Sequence, residues 1–433
     1  MDLLTANDRQ GEYPSSYYAD TATLLDGFPA AKGALNCDVC VVGAGFTGMS
    51  TAYHLAKRGY DVIVLDAQRV GFGASGRNGG QVSMGQRRDQ EDLEVMVGDS
   101  HARQLWDIGA QAVDLVRDLC ATEDVHTSFN DGIVHAVHRK RDHAHNQAYV
   151  DVMAQKYGYD KVRVLEPDEC RHLVNSPAYH GGTLDMGGGH VNPLELVLGL
   201  TRLAVGAGAR VFEQSKVETI EEGDPALVNT AQAQIKARYV VLGCNGYLGN
   251  LQKSVAQRVM PINNFIVSTK PIDPAQQEDI IRNNHAVADS KFVVNYFRFS
   301  DDHRLLFGGT ESYGYRFPKD IAGSVRKLLT EIFPQLKDIE IDHAWGGTLA
   351  ITMNRMPHFA RIGGNILTMS GFSGAGVALG TLSGQIAAET IAGQAERFDI
   401  MAKVPTIPFP GGPRLRSPLL VLAMLWYSLR DKL

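Results

Sequence analysis

Gly43, Gly45 and Gly48 are spaced G-x-G-x-x-G, and an acid, Asp66, closes the next apolar run. Glycines at this spacing allow a tight turn, close backbone approach to a pyrophosphate, and close helix–strand packing; the acid accepts from ribose hydroxyls. That chemistry needs a strand–turn–helix setting, and the flanking residues predict one. Val39 to Val42 is short, apolar and β-branched, as a buried parallel strand is. Met49, Ala52, Tyr53 and Ala56 share one face of a following helix, Gly59 ends it, and Asp61 to Leu65 forms a second strand. The helix N-terminus offers unpaired N–H groups and a positive dipole end to the phosphates. The stretch therefore predicts a dinucleotide site.

Two further glycine clusters need a ligand to explain them. Arg69 to Val82 (RVGFGASGRNGGQV) is too rich in glycine for a core, and its Arg77, Asn78 and Gln81 argue against a merely flexible loop. A last βα unit, Asn365 to Ser370 and then GFSGAGV, begins another helix after glycine.

The whole chain narrows the class. At 433 residues two domains are expected, and 44% hydrophobic with 21% charged residues is ordinary for a globular protein. A net charge of −6 argues against nucleic acid or an anionic membrane as partner. Five scattered cysteines without a paired framework, and an N-terminus lacking a leader pattern, predict a reducing, cytoplasmic setting. Cys37 and Cys40 point to opposite faces of the first strand and are expected to be ordinary strand residues; no metal site is expected. No uncharged run reaches the roughly 18 residues of a membrane span. The apolar Pro418–Leu429 stretch is expected to bury against the body or a second subunit, or to touch a membrane peripherally.

In chain order, residues up to Ala34 are expected to be a loose arm docked by Tyr17 and Tyr18. A helix is expected from Ser100 to Glu123, short strands from Val125 to Val137, and a helix through Tyr149, Val152 and Met153. Gly181 to Pro193 should return the chain to the first domain, with Asn192 capping a helix whose first residue is Pro193. Strands are expected over Val211–Val217 and Ala237–Leu242. Long strands over 258–270 and 292–309, with a hairpin turn at Asp301-Asp302-His303, predict an inserted antiparallel domain.

The glycine motifs GAGFTG with Asp66, GASGRNGGQ (Gly73 to Gln81) and GFSGAGV (Gly371 to Val377) resemble those of the D-amino-acid oxidase–like family of FAD-dependent amine oxidoreductases. SSYYAD (Ser15 to Asp20), GGHVNP (Gly188 to Pro193) and FPGGPRLRSP (Phe409 to Pro418) extend the resemblance to the family's bacterial gamma-glutamylputrescine-oxidising branch. The resemblance implies an α/β fold: a Rossmann-like FAD-binding domain of the GR2/DAO type with an inserted α+β substrate domain built on an antiparallel sheet. Its divisions would be an arm (1–34), a discontinuous FAD domain (35–100, 181–257 and 345–400), a substrate domain (101–180 and 258–344) and a tail (401–433). By resemblance, Gly43, Ala44, Gly45, Phe46, Thr47 and Gly48 cradle the pyrophosphate, Asp66 and Ala67 hold the adenosine, and Val217 packs by the adenine. Gly73, Ala74, Ser75, Arg77, Asn78, Gly79, Gly80 and Gln81 line the ribityl chain and ring, with Gly347. Gly374, Ala375, Gly376 and Val377 start a helix aimed at the flavin's pyrimidine edge, where it would stabilise the reduced ring's negative charge.

Two departures sharpen the expectation. Some relatives attach FAD through a cysteine after the W-x-G segment; here that segment is Trp345-Gly346-Gly347-Thr348-Leu349 and no cysteine follows Cys244, so non-covalent FAD is expected. Amino-acid-oxidising relatives carry an arginine there to grip the carboxylate beside the reacting amine. Leu349 stands in that place, and an apolar residue cannot repay the desolvation of a carboxylate.

The expected substrate is thus a primary amine such as gamma-glutamylputrescine, oxidised with oxygen to the aldehyde, ammonia and hydrogen peroxide, the protein supplying orientation and electrostatics. No side-chain base follows from the sequence. Candidates for the substrate wall are His190, Tyr296, Arg298, Arg316 and Leu349, with Tyr313, Tyr315, Trp345 and His358 behind them; Arg298 or Arg316 would meet the distant glutamyl carboxylate. The alternatives are a dehydrogenase passing electrons to a quinone or carrier, which the apolar tail favours, an oxidase of another amine or amino acid, and a non-catalytic flavoprotein.

Overall fold

A computed structural model describes residues 2–410, so the apolar Pro418–Leu429 stretch, most of FPGGPRLRSP and all but the first ten residues of the expected 401–433 tail lie outside the described residues. The strand Gly33–Val42 runs between parallel neighbours, Val62–Leu65 on one side and Ala233–Leu242 on the other. Val39, Val41 and Cys40 are fully buried, which is why this run needs no polar alternation. Arg210–Phe212 and Ile366–Ser370 extend the sheet in parallel, and His358–Ile362 closes one edge antiparallel. The expected strand over Val211–Val217 is two pieces, Arg210–Phe212 and Val217–Glu221; the second forms a hairpin with Ala226–Thr230 against Ala233–Leu242.

The second sheet runs Ile341–Ile351, Met260–Thr269, Leu305–Ser312, Tyr296–Phe299, Ala286–Asp289, Asn130–Ala136, Gly182–His190 and Gln81–Val82. It is antiparallel except where Ala286–Asp289 lies parallel to Asn130–Ala136. The expected hairpin is present, with His303 in the left-handed region at φ 64°. Its core stacks Phe297 on Phe307 with ring centroids 5.3 Å apart.

The two sheets divide the chain differently from the expected boundaries. Gly182–His190 and Ile341–Ile351, assigned from sequence wholly or largely to the dinucleotide domain, are strands of the second sheet. Gly187, Gly188 and Gly189 sit mid-strand because neighbours leave no room: a Cβ on Gly189 would stand 2.2 Å from Asn130 O. Nor is the N-terminal arm loose. Helix Tyr17–Thr21 buries both tyrosines, with Tyr18 edge-on to Trp345 at 5.4 Å.

Two helices carry the glycine motifs, Phe46–Ala56 and Ala378–Ile391, and they are fastened to each other. A Cβ on Gly384 would lie 2.5 Å from Thr47 O, and Thr47 Oγ1 donates to Gly380 O at 2.9 Å. Helix Pro193–Gly206 packs beside them, capped as expected by Asn192, whose Oδ1 accepts from the Leu194 and Glu195 amides. Asp99–Cys120 covers the same side with an apolar stripe through Leu105, Ile108, Ala112 and Val116. This packing holds two distant helix starts at one place between the sheets.

Candidate active site

That place is a cavity of about 2360 Å³ running between the two sheets. To this cavity the first strand delivers Gly43 at φ 101°, a conformation few other residues adopt. Gly45 is the N-cap of helix Phe46–Ala56, has no side chain to hold the first amides, and lines the cavity with Phe46 and Thr47. Ser75 Oγ accepts from the Phe46 amide at 3.0 Å, tying the second glycine loop to the first. Gly48 stands behind: a Cβ there would be 1.8 Å from Gly43 O, so its absence lets helix and turn meet.

Asp66, in the wall beside Ala67 and Val217, accepts from the Ala44 amide at 2.7 Å and the Gln68 amide at 2.8 Å. Burial pushes its carboxyl up to about 6, although both amides pull the other way. Gly374, Ala375, Gly376 and Val377 also line the cavity, where helix Ala378–Ile391 begins, again without a side-chain cap. Of the five cysteines, Cys244 lines the wall; burial pushes its thiol up to about 12, far from the thiolate form.

The long wall is one face of the second sheet. Gly347 and Leu349, two apart on Ile341–Ile351, both face the cavity. Asn264 pairs with Gly347 on one side and with Glu311 on the other, and Tyr296 donates its hydroxyl to Asn264 Oδ1. The loop from Gly73 to Gln81 lies across this face, since a Cβ on Gly79 would be 2.6 Å from the Tyr296 ring. Asn78 Nδ2 donates to Ala74 O and Ser75 O, both at 3.0 Å, and Gln81 Nε2 to Val287 O at 2.8 Å. Arg77 threads beneath: its guanidinium donates to Phe72 O, Gly346 O and Asp8, and its own carbonyl accepts from Trp345 Nε1 at 3.0 Å.

Several expected residues are elsewhere. Arg298 is buried and its guanidinium donates to Gly79 O at 2.7 Å, Val191 O at 2.9 Å and Phe299 O at 3.1 Å, so it braces the loop and is no part of the cavity wall. Arg316 is exposed and likewise lies off the wall. His190 is buried with Nε2 2.8 Å from Asn284 O, and burial pushes its ring down to about 3, which keeps it neutral. Trp345, Tyr313 and His358 are also outside the wall, whereas Tyr315 lines it. Ala44, Gly48 and Gly80 stand behind the cofactor wall and not in it; a Cβ on Gly80 would meet Val191 O at 2.1 Å.

Sequence reasoning missed Asn264, Glu311, Arg87 and Arg355, all of which line the cavity. Three come from strand ends and turns whose charges follow no period. Only the Arg87-Arg88 pair just past the glycine loop offered a signal.

A family model described as FAD dependent oxidoreductase matches residues 38–390. The chain belongs to the FAD-dependent oxidoreductase (DAO) family. This oxidoreductase is 38% identical over 423 residues to gamma-glutamylputrescine oxidoreductase of Escherichia coli K12, covering 98% of this chain and 99% of the relative. It is also 38% identical over 418 residues to the probable oxidoreductase OrdL of Rhizobium meliloti, covering 96% and 97%. Among solved structures, glycine oxidase from Geobacillus kaustophilus is similar in fold, with a TM-score of 0.69 at 19% identity over 83% of this chain and 95% of that one. L-proline dehydrogenase from P. horikoshii gives 0.68 at 22%, over 84% and 94%.

FAD is the cofactor of this oxidoreductase, and the cavity has the features that FAD requires. Two uncapped helix N-termini meet it, those of Phe46–Ala56 and Ala378–Ile391, and Gly45 and Gly374 line it without a side chain. Among the described residues no helix is long and apolar enough to cross a membrane.

Proposed function

We propose that this oxidoreductase oxidises a primary amine at the end of a chain with no carboxylate beside it, gamma-glutamylputrescine first among them. Leu349 carries the reading. It occupies the cavity wall two residues past Gly347, where an amino-acid-oxidising relative would need a cation. A carboxylate placed against that leucine would lose its hydration without return. The name of the Escherichia coli relative supports the same substrate.

When bound, FAD would be the two-electron acceptor, with oxygen as the terminal oxidant. The balance is R–CH2–NH2 + O2 + H2O giving R–CHO + NH3 + H2O2. The chain's residues orient and exclude. Leu349 and Gly347 give the carbon bearing the amine an apolar stretch of wall. Asn264, whose Oδ1 takes the Tyr296 hydroxyl, lines the same cavity beside Gly347. Burial holds the Tyr296 hydroxyl well above its usual range, so it stays a neutral donor.

Gly43, Gly45, Phe46 and Thr47 would hold the pyrophosphate, Asp66 the adenosine ribose, and Ser373 to Val377 the pyrimidine edge. The FAD should be non-covalent.

Arg87 and Arg355 in the same cavity favour a second reading, an amino acid held by its carboxylate. Steady-state release of peroxide and ammonia under air separates the two. Gamma-glutamylputrescine should yield both in equal amounts, and glycine and sarcosine should yield neither at a comparable rate. Amine oxidation without peroxide would make the protein a dehydrogenase.

A further inference from the structure

We propose that Glu311, Arg87 and Arg355 form a subsite for an α-amino-acid head group, the arginines receiving its carboxylate and Glu311 its ammonium. The proposal rests on the reading of the reacting end given above and names what the far end of that substrate meets. A gamma-glutamyl amide ends in a free α-carboxylate and a free α-ammonium on one carbon. Two cations and one anion around a single stretch of wall match that pair of charges.

The three side chains come from separate segments. Glu311 lies on strand Leu305–Ser312, opposite Asn264; Arg87 follows strand Gln81–Val82; Arg355 sits in the turn after Ile341–Ile351, at φ 67°. All three line the cavity. They lie close enough to act on each other: Arg355 and Arg87 both pull the Glu311 carboxyl down against burial, the larger effect, which raises it.

The hydrogen bonding of Arg87 and Glu311 leaves room for a ligand. Arg87 Nε donates to Ser373 O at 2.9 Å, which fixes the side chain, while its terminal nitrogens make no hydrogen bond or ion pair among the described residues. Glu311 Oε2 accepts from Tyr313 at 3.1 Å, and its Oε1 accepts from no described residue. Glu311 and Arg87 do not close on one another as an ion pair, so their charges stay apart for a ligand to bridge. The Arg355 guanidinium lies 5.7 Å from the centroid of Phe292, another cavity residue. The arrangement also predicts discrimination against free putrescine, whose second ammonium would face two arginines with no carboxylate to offer them.

The test uses the FAD-loaded enzyme and four 4-aminobutyl amides that share the reacting amine: gamma-glutamyl, glutaryl (no α-amine), 4-aminobutyryl (no α-carboxylate) and acetyl (neither). Anaerobic flavin reduction gives kcat/KM for each. The gamma-glutamyl amide should exceed the acetyl amide by on the order of 100-fold or more, with the singly charged amides between, since each charge-assisted contact is worth about ten-fold or more. In Glu311→Gln the gamma-glutamyl to glutaryl ratio should fall toward one. In Arg87→Gln the gamma-glutamyl to 4-aminobutyryl ratio should do so. A purely structural role would lower all four substrates together and leave the ratios intact. Flavin absorbance changes on binding non-oxidisable gamma-glutamyl-n-butylamide give the same comparison in the wild-type protein if a variant does not fold. Equal kcat/KM for the gamma-glutamyl and acetyl amides would overturn the subsite and leave amine oxidation standing. Failure of every amide to reduce the flavin would overturn the reading of the reacting end, and the subsite with it.

Discussion

The affinity for FAD should weaken in acid, and Asp66 should be the cause. In the FAD-free protein burial raises this carboxyl to about 6, so at pH 5 it is mostly protonated. Accepting ribose hydroxyls favours the ionised form, and binding should return the group toward its ordinary value near 4, releasing a proton. The sign follows. A raised pKa makes Asp66's contribution to the FAD-free fold fully present below about 4 and lost as pH rises through 6, whereas the FAD complex needs the carboxylate. The dissociation constant should therefore rise about ten-fold per pH unit below 6, up to ~100-fold in all, about 2–3 kcal/mol at most. The assay is FAD titration of the FAD-free protein by flavin fluorescence from pH 4.5 to 7.5. Asp66→Asn, which cannot titrate, should bind more weakly at pH 7 and with a flat profile. A flat wild-type profile, or the same slope in Asp66→Asn, would refute the reasoning.

Other outcomes follow from the same geometry. Acid or heat should release free, yellow FAD into the supernatant, because the wall's cysteine, Cys244, is held far from the thiolate form; flavin left in the pellet would contradict non-covalent binding. Gly45→Val should fold but purify colourless, since its Cβ would displace the Ser75 hydroxyl, 2.7 Å away, from the Phe46 amide in the cavity wall. Gly48→Ala should instead lower the melting temperature by several degrees, because its Cβ meets backbone; overpacking of this kind costs about 1–3 kcal/mol or more. Arg298→Ala should cost about 3–5 kcal/mol, as buried carbonyls of Gly79 and Val191 lose their donor, and the KM of the folded fraction should stay put.

The dinucleotide half of the site was legible because its chemistry is local. Gly43 to Gly48 and Asp66 lie within one βαβ unit, and each glycine's job is set by backbone conformation that sequence spacing specifies. The substrate half was not. Period two correctly put Tyr296 and Arg298 on one strand face, but periodicity says nothing of what covers that face. Gly79 lies over the tyrosine ring at the cavity, and Gly80 and the Val191 carbonyl close over the arginine. His190 was a candidate for the substrate wall, but the glycines before it admit neighbouring strands in mid-sheet, and the side chain is buried there. Glu311 was hidden for a related reason. Strand Leu305–Ser312 runs past the apolar stretch that marks it in sequence, and a register shift at Phe265/Ile266 sets Glu311 opposite Asn264.

Anaerobic mixing of the yellow enzyme with single amines, followed by flavin absorbance, tests the central claim most directly. Gamma-glutamylputrescine should bleach the flavin rapidly. Putrescine should do so at least ten-fold less efficiently, having lost its far-end contacts, each worth about 1–3 kcal/mol, and glycine and sarcosine should leave the spectrum unchanged. Bleaching by glycine or sarcosine at a rate comparable to gamma-glutamylputrescine would contradict the role given to Leu349 and make this oxidoreductase an amino-acid oxidase.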